Sequence, residues 1–391
     1  MSTPPLPRAL SVELHVRQPG LDVRAQFRAP PGRVCAIVGR QGAGKSALLK
    51  AAAGLAPALS GRVALGPDVL YDVKAGEPSS GIDLPPHARR LSWLDAQAHV
   101  FPHLDVRGNL LYGRRVLGRL WSQQLGPEPA AISHWLGLDS LLRLRAEALG
   151  PAQRVRVALG RALAAQPHAL LLDNPLGGVP EHEREELLAV LAKVPTRFRL
   201  PVVLVSPRMN EVIRMADEVV ILHEGRMASA GPTAQILSDV SLSTFLEGVH
   251  AGSVLEGEVT RHDIEWLLSE VDVGGQRVTV PATLHGVGSK VRLKVRARDI
   301  ALHREVPVDT STSNHLHGRI TQVMLAGEHG TYGAVGVALS PQLDAAGLLV
   351  RPGQPLWALL TRKAIQQMGW APGQPCVVGF KAMATAVSPW R

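Results

Sequence analysis

At 391 residues, with 46% hydrophobic and 19% charged side chains, the chain has a globular balance and a length that points to two or three domains rather than to a disordered or fibrous protein. Its longest apolar stretches, such as Ala169–Leu172 and Val202–Val205, fall far short of the ~18 consecutive apolar residues of a membrane-spanning helix. The net charge of +9 contains no long run of like charges, and three Tyr and five Phe leave little for base stacking, so nucleic acid is not an expected partner.

The opening segment, Met1–Ser11, is Pro-rich and is followed by no apolar stretch of secretory type, so a cytoplasmic location is expected. Cys35 and Cys376 have neither a CxxC spacing nor a disulfide framework and read as buried thiols.

Residues 33–38, Arg-Val-Cys-Ala-Ile-Val, predict a buried parallel strand that feeds a glycine turn at Gly39. Ser46-Ala-Leu-Leu-Lys-Ala-Ala-Ala predicts a helix that stops at Gly54. Between strand and helix stands Gly39-Arg40-Gln41-Gly42-Ala43-Gly44-Lys45-Ser46, a full match to GxxxxGK[ST] in the context that motif needs. Glycines let successive N–H groups turn toward a phosphate, the helix start adds partial positive charge, and Lys45 is placed to bridge the β- and γ-phosphates. Ser46 supplies a hydroxyl to Mg²⁺, and Asp173, at the end of a further buried strand, holds that ion through a water. ATP and Mg²⁺ are therefore the expected cofactors. The competing reading of the same residues is a chance glycine turn before a helix.

Farther along, His168–Asp173, Pro201–Ser206 and Glu218–Leu222 predict buried strands, with a helix over Glu181–Lys193 and a turn at Glu224-Gly225. Strands alternating with helices imply an α/β fold with a mainly parallel sheet. After about residue 250 the texture becomes period two, as in Lys290-Val-Arg-Leu-Lys-Val-Arg-Ala-Arg, which predicts a β-barrel region beginning near Gly252. The expected division is thus 1–250 and 251–391, with the polar stretch Val308–Asn314 splitting the second part. Arg292, Lys294, Arg296 and Arg298 alternate and read as a solvated barrel face, and His285, His303, His315, His317 and His329 read as surface histidines.

The phosphate loop together with Leu170-Leu-Leu-Asp173-Asn-Pro-Leu resembles the ATP-binding cassette (ABC) transporter ATPases. Leu70-Tyr-Asp-Val, Leu84-Pro-Pro-His-Ala-Arg-Arg90 and Phe101-Pro-His-Leu-Asp-Val-Arg-Gly-Asn-Leu110 are similar to the molybdate-importer subunits. The resemblance implies a P-loop NTPase cassette followed by an all-β, OB-like region of Mop/TOBE type, with a Mop-like oxyanion-binding unit over about 313–388. It also implies a cassette dimer on the cytoplasmic face of the inner membrane, integral membrane permease subunits as partners, and a periplasmic or extracellular oxyanion-binding protein acting indirectly.

Several family positions are replaced. The Q-loop glutamine falls on Ala96, with Gln97 one residue late, and the LSGGQ signature falls on Leu149-Gly-Pro-Ala-Gln153, where Pro151 has no N–H to donate. The glutamate that polarises the attacking water is Asn174, the D-loop is Gly178-Val-Pro180, and the switch histidine is Pro207. A positioned general base is worth ~10²–10⁴ in rate, so nucleotide binding without efficient turnover is expected. For the oxyanion, the resemblance points to Ser313, Thr361 and Lys381, although Ala364 stands where the family often has serine; a purely structural barrel is the alternative. The leading function is the ATP-binding subunit of a molybdate-type importer. The alternative is a non-hydrolysing regulatory cassette or the inactive partner of a heterodimer.

Overall fold

The computed structural model describes residues 8–76, 81–117, 128–239, 241–242, 252–325, 331–343, 349–351 and 353–390. Contacts divide the chain into two compact units, Met1–Ala230 and Gly231–Arg391.

The first unit opens with β1 (Leu10–Gln18) and β2 (Leu21–Ala29), an antiparallel pair joined at Gly20, whose φ of 74° only glycine adopts readily. Their alternating burial is the period-two signature of a half-buried strand. Next come β3 (Val34–Val38), buried throughout, and α1 (Lys45–Ala53), which ends on Gly54 in the left-handed conformation. Strands β4 (Ser60–Leu65), β5 (Asp68–Val73) and β6 (Ile82–Asp83) extend β1 as an antiparallel wing.

The rest of this unit follows as β7 (Leu91–Asp95), α2 (Val106–Leu117), α3 (Pro129–Trp135), α4 (Pro151–Ala164) and β8 (Ala169–Asp173). Then come α5 (Glu181–Phe198), β9 (Val202–Val205), α6 (Met209–Met215), β10 (Glu218–His223) and β11 (Arg226–Pro232). The predicted strands and helices are present with small shifts at their ends. Helix α5 runs on to Phe198, past Pro195, because Val194 and Pro195 lie on its buried side.

Among the described residues these strands form one sheet in the order β6-β5-β4-β1-β2-β11-β10-β3-β9-β8-β7. The stretch β10-β3-β9-β8-β7 is parallel throughout. Parallel strands of Val, Leu and Ile buried on both faces are what an α/β core requires. Their carboxyl ends, Val38, Val205, Asp173 and Asp95, emerge along one rim, where ligands of open α/β sheets bind.

The second unit begins with α7 (Thr233–Leu237), which packs on β12 (Gly252–Asp263), so the unit starts ahead of the barrel itself. Residues 243–251, where a boundary is expected from sequence, lie outside the described residues. The remaining elements are β13 (Leu268–Val273), β14 (Gln276–Pro281), β15 (Lys290–Arg296), β16 (Ala301–His303), β17 (Asn314–Leu325), β18 (Tyr332–Leu339), β19 (Gln342–Leu343) and β20 (Leu349–Arg351). β21 (Pro355–Thr361), α8 (Arg362–Met368), β22 (Pro375–Phe380) and β23 (Thr385–Pro389) complete it.

Two five-stranded sheets result, β14-β13-β12-β15-β23 and β16-β22-β17-β18-β21. The subdivision expected at 308–314 is not a division of the core. β23 returns to the first sheet, β16 joins the second, and one cluster running from Leu255 to Phe380 fills the space between them.

Two sequence expectations fail here. Arg292 does not lie on a solvated face: it is 1% exposed, donates from Nε and Nη2 to Glu256 Oε1 at 3.1 and 2.9 Å, and lies under the Trp390 ring at 4.5 Å. A buried guanidinium needs a charged partner and gains from an aromatic face, and both come from segments distant in sequence. His303 and His315 are half-buried rather than fully exposed: their Nε2 atoms are buried, with His303 leaning over Gly379. His317 is exposed, and His329 lies outside the described residues.

Candidate nucleotide site

The turn between β3 and α1 is built from three left-handed glycines, Gly39 at φ 150°, Gly42 at 83° and Gly44 at 96°. At two of them a side chain would also collide. A Cβ on Gly39 would stand 2.0 Å from the Leu222 carbonyl oxygen, and one on Gly44 would stand 2.2 Å from Val23 Cγ2. The loop is therefore pressed against β10 and β2 on its outer side, while Arg40, Gln41 and Gly42 are open to solvent. Ala43 is buried and anchors the middle of the loop.

Lys45 Nζ donates to the carbonyls of Gly39 and Arg40, each at 2.7 Å, so the ammonium lies across the mouth of the loop. Ser46 Oγ donates to Asp173 Oδ1 at 2.9 Å, which joins the first turn of α1 to the end of β8. Burial pushes the Asp173 carboxyl above its ordinary range, against the Ser46 hydrogen bond and the charges of Lys50 and Lys45; the negative charge of Asp95 pushes the same way as burial. A desolvated carboxylate held beside a hydroxyl and an ammonium is a fit environment for a hard divalent cation and a polyphosphate. Gly39 to Ser46 would hold the phosphates, and Ser46 with Asp173 would hold Mg²⁺.

The far end of α1 is fixed by Arg89, a residue with no functional motif of its own. Its guanidinium is 3% exposed and donates to the carbonyls of Ala51, Ala52 and Leu84 at 2.9, 2.8 and 2.8 Å and to Asp83 Oδ1 at 2.7 Å. It thereby brings positive charge to the helix terminus, adding to the Gly54 N–H on the Ala51 carbonyl and supplying a donor for the Ala52 carbonyl. The only hint in the sequence is its place within Leu84–Arg90.

Of the replaced positions, Asn174 and Ala96 lie together beside Gly177. Asn174 has φ 52° and donates its N–H to Val205 O at 2.7 Å, and its side-chain amide sits beside Gly177: a Cβ there would be 2.5 Å from Asn174 Nδ2 and 2.9 Å from Ala96 Cβ. Gln97 is exposed in the turn after β7, with its N–H on Asp95 Oδ1 at 3.1 Å. Pro207 is exposed, while Ser206 before it is buried and donates to Glu211 Oε2 at 2.7 Å. Helix α4 begins on Pro151, and Gln153 Oε1 turns back to accept the Gly150 N–H at 3.0 Å.

Residues 23–177 match the family model described as "ABC transporter". The molybdenum import ATP-binding protein ModC of Rhodobacter capsulatus is 35% identical over 96% of this chain and 97% of its own length. Those of Paramagnetospirillum magneticum and Rhodospirillum rubrum are 32% and 34% identical, each again over 96% of this chain and over 98% and 96% of their own lengths. The chain belongs to the ModC family of ABC-type ATP-binding proteins. The fold agrees: an ATP-binding cassette of an ABC transporter, solved in its ADP conformation, superposes with a TM-score of 0.50 at 19% identity, covering 62% of this chain and 99% of that one.

The residues matched by the ABC transporter model, 23–177, lie within the first unit, and no described helix is long and apolar enough to cross a membrane. The Phe101-Pro-His segment is anchored at Phe101. Asn109 Oδ1 accepts the Phe101 N–H at 2.8 Å, Asn109 Nδ2 donates to its carbonyl at 3.1 Å, the Tyr112 ring lies against the Phe101 ring, tilted, with centroids 4.2 Å apart, and Arg161 lies over the Phe101 ring at 4.6 Å.

In the second unit, Ser313 and Lys381 come together, with Ser313 Oγ accepting the Ala382 N–H at 3.2 Å. Thr361 is elsewhere. It caps α8, accepting the Ala364 N–H at 3.2 Å, and pairs with Tyr332 at the opposite end of the β17–β18 ladder from Asn314. Ala364 thus supplies a backbone donor where the sequence expectation has a serine hydroxyl.

Proposed function

We propose that this chain is the ATP-binding subunit of an importer for molybdate or a similar oxyanion, and that it binds Mg-ATP while releasing phosphate slowly. The observation that carries the reading is the Ser46–Asp173 hydrogen bond at the mouth of the glycine loop, with Asn174 in place of a carboxylate next to it. Gly39, Arg40, Gln41, Gly42, Ala43, Gly44 and Lys45 cradle the triphosphate; Ser46 and Asp173 hold the magnesium. The clamped Phe101 segment suits docking to integral membrane permease subunits, with a substrate-binding protein on the far side acting indirectly. A cassette dimer, peripheral on the cytoplasmic face of the inner membrane, is the assembly in which these parts work.

For the oxyanion, Ser313 and Lys381 provide a hydroxyl and an ammonium at one end of the second sheet, and Thr361 lies at the other end. That separation supports a site completed between barrels of two copies rather than inside one. The changed positions Ala96, Pro151, Asn174 and Pro207 also favour a second reading, the low-turnover partner of an intact cassette. An amide has no basicity to take a proton from water.

The test is phosphate release by the chain with its permease, beside Asn174→Glu. Slow release by the wild type with intact Mg-ATP binding supports the reading, and rapid release by the wild type refutes it.

A further inference from the structure

Strand β7 ends beside β8 in register, with Asp95 opposite Asp173. Paired residues of neighbouring parallel strands point to the same face of the sheet. On β7 that face is identified by Leu91 and Trp93, which pack on the core cluster containing Leu48 and Leu49 of α1; on β8 it is identified by Ala169 and Leu171 of the same cluster. Asp95 and Asp173 continue this alternation, so both carboxylates face α1, whose first turn carries Lys45 and Ser46. The negative charge of Asp95 is felt at Asp173. Asp95 is only partly exposed, and its carboxylate accepts the Gln97 N–H at 3.1 Å and meets His99 Nε2 at 3.2 Å.

We propose that Asp95 is a second carboxylate for the magnesium of the Mg-nucleotide complex. The inference rests on the reading of Gly39–Ser46 as a nucleotide site. Two carboxylates on one side of a triphosphate repel it when no cation lies between them, and attract the complex when one does. Binding of nucleotide is then unusually dependent on the metal.

The experiment is ATP binding by the full chain, measured by calorimetry in EDTA and again in excess Mg²⁺, for the wild type, Asp95→Asn and Asp95→Leu. Asp95→Asn keeps the oxygen that caps Gln97, so it tests charge with little change of shape. Both variants should bind metal-free ATP as tightly as the wild type or more tightly, and should lose about tenfold or more of the affinity gained on adding Mg²⁺. A structural role alone would move both conditions the same way. Equal shifts in EDTA and Mg²⁺, or no shift in either, overturn the assignment while leaving the nucleotide site intact. Failure of the wild type to bind ATP in both conditions overturns the nucleotide site and this proposal with it.

Discussion

Ser46 and Asp173 stand 127 positions apart in sequence and meet through a single 2.9 Å hydrogen bond between hydroxyl and carboxylate. That contact fixes the first turn of α1 against the end of β8, and under the proposed function it sets two oxygens that would hold magnesium side by side. Ser46→Ala should leave the fold intact and metal-free nucleotide binding nearly unchanged. The same substitution should weaken Mg-ATP binding about tenfold, because one oxygen ligand is lost. Calorimetric titrations in EDTA and in Mg²⁺ check this.

The Asp173 carboxyl is raised by burial, so the sign of its effect on stability is the reverse of the usual acid case. A carboxyl whose folded value lies above its unfolded value favours the fold when protonated, and that contribution is lost as pH rises through the folded value. At neutral pH the charge is therefore a burden on the nucleotide-free fold. Asp173→Asn should raise the melting temperature of the nucleotide-free protein at pH 7, have little effect in acid, and abolish the additional stabilisation by Mg-ATP. Thermal unfolding with and without ligand measures all three.

His168 carries the opposite dependence. Burial, reinforced by the positive charges of Arg90 and Arg8, lowers its value from 6.5 to about 4, and its Nε2 accepts from Arg90 Nη1 at 3.0 Å. A neutral histidine contributes fully above about 6.5 and loses that contribution as pH falls toward about 4. Denaturant midpoints across that window should fall less steeply with acid in His168→Gln than in the wild type.

What the sequence makes legible is what is local. The phosphate loop follows from eight consecutive residues, and the buried strands at Val34–Val38 and Ala169–Asp173 follow from short apolar runs. Asp95 is not legible in this way, because its importance depends on the β7–β8 register, and a lone Asp before Ala-Gln has no pattern of its own. Arg89 is hidden for the same reason: its partners are the carbonyl oxygens of a helix 37 and 38 residues earlier. Alternation misleads at Arg292, since a period-two pattern of basic residues also describes a strand whose outward face is covered by Glu256 and Trp390.

The buried arginines make the clearest stability prediction. Removing the Arg89 guanidinium leaves the Ala52 and Leu84 carbonyls without their donor and the Ala51 carbonyl with the Gly54 N–H alone, and each buried unsatisfied group costs about 1–3 kcal/mol. Arg89→Met should destabilise the first unit by about 3 kcal/mol or more. Arg89→Lys should recover only part, because a point charge cannot replace a planar fork with several acceptors. Urea unfolding of the three proteins gives the order wild type, Lys, Met.

Nucleotide binding without efficient turnover is tested most directly by one paired measurement: equilibrium Mg-ATP binding and phosphate release, made on the same preparation of the full chain with its permease. Saturable binding that Lys45→Ala removes, together with phosphate release at least about a hundredfold slower than an intact general base would support, is the predicted result. Absence of saturable binding, or rapid release from the wild type with Asn174 in place, contradicts it.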